Sequence, residues 1–244
     1  MTDNPVAVVV PAKDEQLRIS ATVSAATALP NVDLVLVVDD GSTDRTAAAA
    51  SSAGATVVRH SRNRGKAAAM ETGAAAVRLI ETREGGAARA MLFLDADLED
   101  SAAKAGPLIE PVLTGEVDMT IATLPVQRTE GGGRGFVVNL ARTGIEQATG
   151  WSPAQPLSGQ RCITRAAFDS ALPLASGFGV EVGLTIDLLR QGYRIREIEV
   201  PLHHRVTGTD WRSQMHRGRQ WLHVLRALAV RGVRPQVGGR AQRR

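Results

Sequence analysis

The chain has 244 residues, 43% of them hydrophobic and 22% charged, with one cysteine and a formal net charge of +4. That balance excludes disordered, collagenous and coiled-coil classes and fits one globular domain, long enough to bury a core without disulfides or structural metal. No uncharged stretch reaches the ~18 apolar residues of a membrane span, and the lone Cys162 supplies neither a disulfide framework nor a zinc site.

Val6–Val10 is a continuous apolar run ended by Pro11, the pattern of a strand buried on both faces of a parallel sheet. Residues 15–29 then predict a helix. A second strand is predicted over Val32–Val38, closed by Asp39-Asp40-Gly41-Ser42, and a helix over 43–53 is capped by Ser42 or Thr43. A third strand at Ala55–Arg59, an alanine-rich helix from Asn63 to about Thr82 and a fourth strand over Ala90–Leu94 follow. The fourth strand runs into Asp95-Ala96-Asp97. A helix over 101–114 and a strand over 117–123 complete the regular half. This alternation predicts right-handed βαβ units in an α/β fold, a doubly wound, mostly parallel sheet flanked by helices.

The second half is less regular. The glycines of 131–135 do not follow a strand, so they are no dinucleotide fingerprint. Helices are predicted over 136–149, 179–191 and 212–231, and strands over 157–164 and 193–202. Residues 233–244, rich in Gly, Gln and Arg, are expected to be disordered. Residues 205–244 hold ten arginines against one acid, Asp210. Such a basic end favours a phosphate-rich partner or an anionic membrane surface. The start, Met-Thr-Asp-Asn-Pro, has neither the basic leader nor the apolar core of a signal peptide, and a cytoplasmic protein is expected.

In a doubly wound sheet the ligand lies beyond the carboxyl ends of the strands. Asp14 and Glu15, Asp39 and Asp40, and Asp95 and Asp97 all stand at such ends. Asp95 and Asp97, separated by small Ala96, offer hard oxygen donors suited to Mg²⁺ or Mn²⁺ held together with substrate phosphates. A polar strand end with helix-capping acids explains the pair equally well. An Asx turn accounts for Gly41, Ser42 and Thr43 but not for two adjacent acids, one of which could accept from a nucleobase or ribose. Arg62-Asn-Arg-Gly-Lys66 puts cations at a helix start, where a phosphate or base edge can bind. It is not a P-loop, because no Ser or Thr follows Lys66 and the upstream glycine is absent. His203 and His204 suit Mn²⁺ better than Mg²⁺, although one of two adjacent residues after a strand ordinarily faces core or solvent. Trp211, Met215 and Trp221, at near-helical spacing, read as packing residues.

Val9-Val-Pro-Ala-Lys-Asp-Glu15, Leu36-Val-Val-Asp-Asp-Gly-Ser-Thr-Asp44, Arg62-Asn-Arg-Gly-Lys66 and Leu92-Phe-Leu-Asp-Ala-Asp97, in that order, closely resemble family 2-type glycosyltransferases of the GT-A fold. The resemblance covers roughly residues 6–125. It implies a single domain whose residues 1–125 bind a nucleotide-sugar donor, a UDP- or GDP-sugar. Pro11, Asp14, Glu15 and Asp40 would surround base and ribose, with Lys66 near the base. Asp95 and Ala96 would meet ribose or metal, and Asp97 would ligate the Mg²⁺ or Mn²⁺ that bridges the diphosphate.

Residues 126–232 would then be the acceptor half, with 233–244 as a basic tail. Pro156-Leu-Ser-Gly-Gln160, Gly177-Phe-Gly-Val-Glu-Val-Gly183 and Val200-Pro-Leu-His-His-Arg205 resemble glucosyl-3-phosphoglycerate synthases. That resemblance implies Glu181 as the catalytic, acceptor-side acid and His204 as the third metal ligand. Gly159, Gln160, Arg161 and Arg205 would hold the phosphorylated acceptor, with Arg134 and Arg142 as further phosphate-binding candidates. The same blocks also resemble polyprenyl-phosphate glycosyltransferases, in which a glutamine able to reach the metal stands where this chain has Glu99. Helix 212–231 would then be a membrane contact in place of a solvated basic face. A nucleotidyltransferase would need a glycine-rich loop after the first strand, and Pro11-Ala-Lys-Asp-Glu15 is not one. A non-catalytic nucleotide-sugar-binding protein is the alternative of another class, and the intact Asp95/Asp97 pair argues against it. No nucleic-acid partner is expected, and a homodimer is left open.

Overall fold

Seven strands form one sheet in the computed structural model, which describes residues 5–124, 134–202 and 211–233, with the side chains of 134 and 211–219 excepted. They are β1 (Val6–Ala12), β2 (Val32–Asp39), β3 (Thr56–Arg59), β4 (Ala90–Phe93), β5 (Met119–Thr123), β6 (Arg161–Ile163) and β7 (Ile195–Glu199). Their order across the sheet is β3-β2-β1-β4-β6-β5-β7. All pairings are parallel except those of β6, which runs antiparallel to both β4 and β5. The two sequence halves therefore share one sheet, with β6 of the second half inserted between β4 and β5 of the first.

Period-two alternation along β1 explains its unbroken apolar run. Val6, Val8 and Val10 face a core made with α1 (Ile19–Thr27), α2 (Thr46–Ser52), the 3₁₀ segment Glu99–Leu108 and α4 (Glu110–Leu113). Ala7 and Val9 face the opposite core, made with α3 (Lys66–Glu84), α6 (Arg165–Ser170) and α7 (Val180–Arg190). A third cluster joins α5 (Arg134–Thr149), α7 and α8 (Trp211–Val230) through Leu140, Ile145, Val182, Ile186, Val224 and Leu228. α7 thus packs on the sheet with Val180, Leu184 and Leu188 and on α5 and α8 with Val182 and Ile186.

The basic helix α8 consequently covers α5 and α7, not the sheet. Trp221 is part of that packing. No helix among the described residues is long and apolar enough to cross a membrane.

Several boundaries differ from the sequence expectation. The helix predicted over 15–29 begins only at Ile19, after a turn in which Arg18 N and Ile19 N both donate to the Glu15 carbonyl. The helix predicted over 101–114 is a 3₁₀ segment followed by the four-residue α4. Pro107, inside the 3₁₀ segment, and Pro111, in the first turn of α4, interrupt the backbone ladder that one continuous helix would need. α2 starts at Thr46, where Asp44 Oδ1 accepts from Thr46 N at 2.9 Å. Val233, in the tail expected to be disordered, is buried in the third cluster, and the remainder of that tail lies outside the described residues.

Gly41 fixes how the site-bearing loops meet. Its φ is +69°, and a Cβ there would stand 2.5 Å from the Arg62 carbonyl carbon and 2.7 Å from Asn63 N. Only glycine lets the turn after β2 lie directly on the loop that starts α3.

Candidate functional site

β1, β2 and β4 end side by side, and the sheet's carboxyl edge collects charge from four distant segments. Asp95 follows β4, and Lys66 is the first residue of α3. Lys66 Nζ lies 2.8 Å from Asp95 Oδ1 and 3.1 Å from Glu181 Oε1, the latter in the first turn of α7. Gln160 Nε2 donates to Asp95 Oδ2 at 2.6 Å. Gly159 passes directly over this cluster. A Cβ there would overlap Lys66 Nζ and stand 3.1 and 3.2 Å from the Asp95 oxygens. Burial pulls the Lys66 ammonium down, but Asp95 and Glu181 outweigh it and hold its pKa above the ordinary lysine value.

A second ionic group lies beside the first. Thr22 of α1 donates its hydroxyl to the Ala96 carbonyl at 2.9 Å and accepts from Glu99 N at 2.8 Å, which shapes the turn bearing half-buried Asp97. Arg18 pairs with Glu15 at 2.7 Å and Glu99 at 3.5 Å, and Asp97 adds to the field that keeps it charged. Among the described residues, Glu15, Asp95, Asp97, Glu99 and Glu181 thus gather around Lys66 and Arg18.

A diphosphate beside these carboxylates gains from added positive charge. The donor set fits Mg²⁺ or Mn²⁺: hard carboxylate oxygens, with Asp97 at the turn. Among the described residues no group of three His, Cys, Asp or Glu side chains could hold an ion.

The other predicted residues take varied places. Asp39 is buried, accepts from Ser42 N at 2.9 Å and pairs with Arg59 at 3.0 Å. Asp40 is 5% exposed. Its Oδ1 accepts from Arg64 N and meets His60 Nδ1, and its Oδ2 accepts from Gly65 N at 2.8 Å. Burial raises its pKa, but His60 and the two amides outweigh that and hold it below the ordinary value. Here Asp40 anchors the loop that leads into Lys66. Asp14 lies at the rim, where its Oδ1 accepts from Thr43 N at 2.8 Å and Lys13 is its ion partner. Pro11 lies within β1.

Arg161 corrects the sequence reading. Alternation in β6 turns Cys162 to the α1 face and Arg161 to the α7 face. The arginine is 1% exposed. Its Nε donates to the Ser158 carbonyl at 2.9 Å, Nη2 to the Pro156 carbonyl at 3.3 Å, and Nη1 to the Glu181 carbonyl at 3.1 Å and to Thr185 Oγ1 at 2.8 Å. Burial pulls its pKa down to about 10. This guanidinium ties the 156–160 loop to Glu181 and does not face an acceptor phosphate. Arg142 likewise donates to the Pro153 and Ala154 carbonyls. Gln160 is also buried, and its side-chain amide holds Asp95. Burial pushes the Cys162 thiol up to about 12, which leaves it chemically inert.

His60 escaped the sequence reading. It links Asp40 to Thr72 Oγ1, 2.9 Å from its Nε2. His203, His204 and Arg205 lie outside the described residues, as does the side chain of Arg134. A cavity of about 260 Å³ opens beside Asp95, lined by Leu124, Val138 and 155–160.

The model of the glycosyl transferase family 2 matches residues 7–168. A glucosyl-3-phosphoglycerate synthase of Mycobacterium tuberculosis is 31% identical over 199 residues, which are 75% of this chain and 60% of that relative. The match thus spans less than two thirds of the curated relative's length. Two solved structures of the Mycobacterium tuberculosis enzyme are similar throughout. One, in complex with Mg²⁺ and UDP, has a TM-score of 0.77 at 27% identity and covers 96% of this chain and 81% of that one. The other, with Mn²⁺, UDP-glucose and phosphoglyceric acid, has a TM-score of 0.71 at 28% identity and covers 98% of this chain and 84% of that one.

Proposed function

The chain belongs to glycosyl transferase family 2, and from that premise we propose that it transfers a glucosyl group from UDP-glucose to a small phosphorylated hydroxy acid, with 3-phosphoglycerate as the first candidate. The observation that carries this reading is the four-residue meeting point at the sheet edge. Lys66 and Asp95 come from the segment that resembles a nucleotide-sugar site, and Gln160 and Glu181 from the segment that resembles the acceptor site. The relatives synthesise glucosyl-3-phosphoglycerate, and their structures hold UDP-glucose with phosphoglyceric acid.

In the proposed reaction the bond between the anomeric carbon and the diphosphate oxygen breaks, and negative charge grows on the leaving UDP. A Mg²⁺ or Mn²⁺ held by Asp97 and Asp95, with His204 as the proposed third ligand, would supply the compensating charge. Gln160 keeps the Asp95 carboxylate turned towards the site, and Lys66 adds a fixed cation beside it. Glu181 stands across Lys66 from Asp95, where it can accept a hydrogen bond from the acceptor hydroxyl. In an inverting course Glu181 takes the hydroxyl proton. In a retaining course it orients the acceptor while the departing diphosphate takes the proton on the same face. A cytoplasmic enzyme with a soluble acceptor follows from the same reading. The polyprenyl-phosphate alternative is less well supported, because Trp221, Val224, Leu225 and Leu228, in the described part of α8, pack in one cluster with α5 and α7.

The deciding assay offers the purified protein UDP- or GDP-glucose, Mg²⁺ or Mn²⁺, and either 3-phosphoglycerate or a short polyprenyl phosphate in detergent. UDP release coupled to a glucosylated phosphoglycerate is expected. Transfer to the lipid alone would overturn the proposed acceptor.

A further inference from the structure

Glu181 stands directly after the turn that opens α7. Gly177–Gly179 forms a single 3₁₀ turn leading into α7, and neither Ser176 before it nor Gly179 at its end makes a side-chain cap. Glu181 follows as the second residue of α7. His223, on α8 and far away in sequence, grips that turn.

His223 Nδ1 accepts from Phe178 N at 3.2 Å. Its ring also stacks on that of Phe178, with centroids 5.8 Å apart and planes 24° from parallel. The fit leaves no room for side chains on either glycine. A Cβ on Gly177, whose φ is +63°, would overlap His223 Nδ1. One on Gly179 would stand 2.7 Å from both the His223 carbonyl oxygen and Ala227 Cβ. Both glycines of the Gly-Phe-Gly segment are thus explained by the approach of α8. As the acceptor of an amide proton, Nδ1 is unprotonated, which places the ring proton on Nε2.

The carbonyl of Glu181 is held independently by Arg161 Nη1 and Thr185 Oγ1.

We propose that His223 is a positioning residue for Glu181: by accepting from Phe178 N and stacking on Phe178, it sets the turn from which Glu181 reaches the acceptor. The proposal rests on the reading of Glu181 as the acceptor-side acid. Displacement of a reacting group by about 1 Å can cost ~100-fold in rate, so a loosened turn should act on turnover more than on donor binding.

Two substitutions separate positioning from simple packing. His223→Phe keeps an aromatic ring for the stack and removes the acceptor. His223→Asn gives up the ring but can place its amide oxygen where Nδ1 stood. The measurements are amide hydrogen exchange followed by mass spectrometry, and steady-state kinetics with UDP-glucose and 3-phosphoglycerate. His223→Phe should speed exchange in peptides spanning 174–182 while peptides over 64–72 and 90–98 stay unchanged. Its kcat should fall about 10-fold or more, with the KM for UDP-glucose held within about twofold. His223→Asn should recover most of the protection and most of the kcat. Unchanged exchange and kcat in His223→Phe would overturn the proposal, as would equal damage in both variants. A wild-type protein that transfers no sugar would refute the functional reading, and the exchange pattern would still decide whether His223 holds the turn.

Discussion

Replacing Lys66 with methionine removes the ammonium from between Asp95 and Glu181 while keeping an unbranched side chain of similar length. Breaking a buried ion pair costs ~3–5 kcal/mol, whereas a fully exposed pair contributes ~0–1 kcal/mol. The side chains of Lys66 and Asp95 are each 30% exposed and that of Glu181 10%, so the cost falls between these limits, at about 2 kcal/mol. For a chain of this length that corresponds to a melting temperature lower by roughly 4–8 °C. The pH dependence has a definite sign. The folded pKa of Lys66 lies above its ordinary value of 10.5. Its contribution is therefore fully present below pH 10.5 and is lost as pH rises through the higher folded value. Thermal melts of wild type and Lys66→Met should differ by a constant amount between about pH 7 and 9 and converge only in strong alkali. Equal melting temperatures near neutrality would refute the ionic cluster, and so would a gap that closes below about pH 9.

Gly159→Ala should lower the melting temperature by no more than Lys66→Met does, because its Cβ meets the flexible end of Lys66 and the Asp95 carboxylate and not backbone. It should lower turnover about 10-fold by displacing Lys66 from Asp95, and full activity in a kinetic assay would count against that pair as part of the site. Arg161→Met leaves three carbonyls and Thr185 without the guanidinium. It should destabilise by about 3 kcal/mol or more, read as a lower urea midpoint, and an unchanged midpoint with a raised acceptor KM would restore the phosphate-binding role. Asp97→Ala should fold normally but remove the difference in UDP affinity between Mn²⁺ and chelator in calorimetry, whereas a persistent difference would place the metal elsewhere. His204→Ala should raise the Mn²⁺ needed for half-maximal activity by about 10-fold or more, and His203→Ala by less. If neither shifts it, Glu99 becomes the better third ligand.

The sequence by itself determined the doubly wound half of the fold and the edge at which to look for a site. Fully buried parallel strands are written as unbroken apolar runs, and β1, β2 and β4 all carry them. The acids after those runs had to fall at the sheet's carboxyl edge, because a βαβ crossover returns every strand in the same direction. The prolines that interrupt a continuous helix over 101–114 were equally visible. What only the tertiary structure decided is which partner each polar group takes. β6 is three residues long, too short for any period, and its reversed insertion between β4 and β5 depends on how the second half closes over the first. That insertion turns Arg161 inward onto carbonyls, brings Gln160 under Asp95 and sets Glu181 against Lys66. Burial follows from a local pattern of side chains, but the choice between an anion, a carbonyl and a ligand is made by groups tens of residues away in sequence, and only packing brings those groups together.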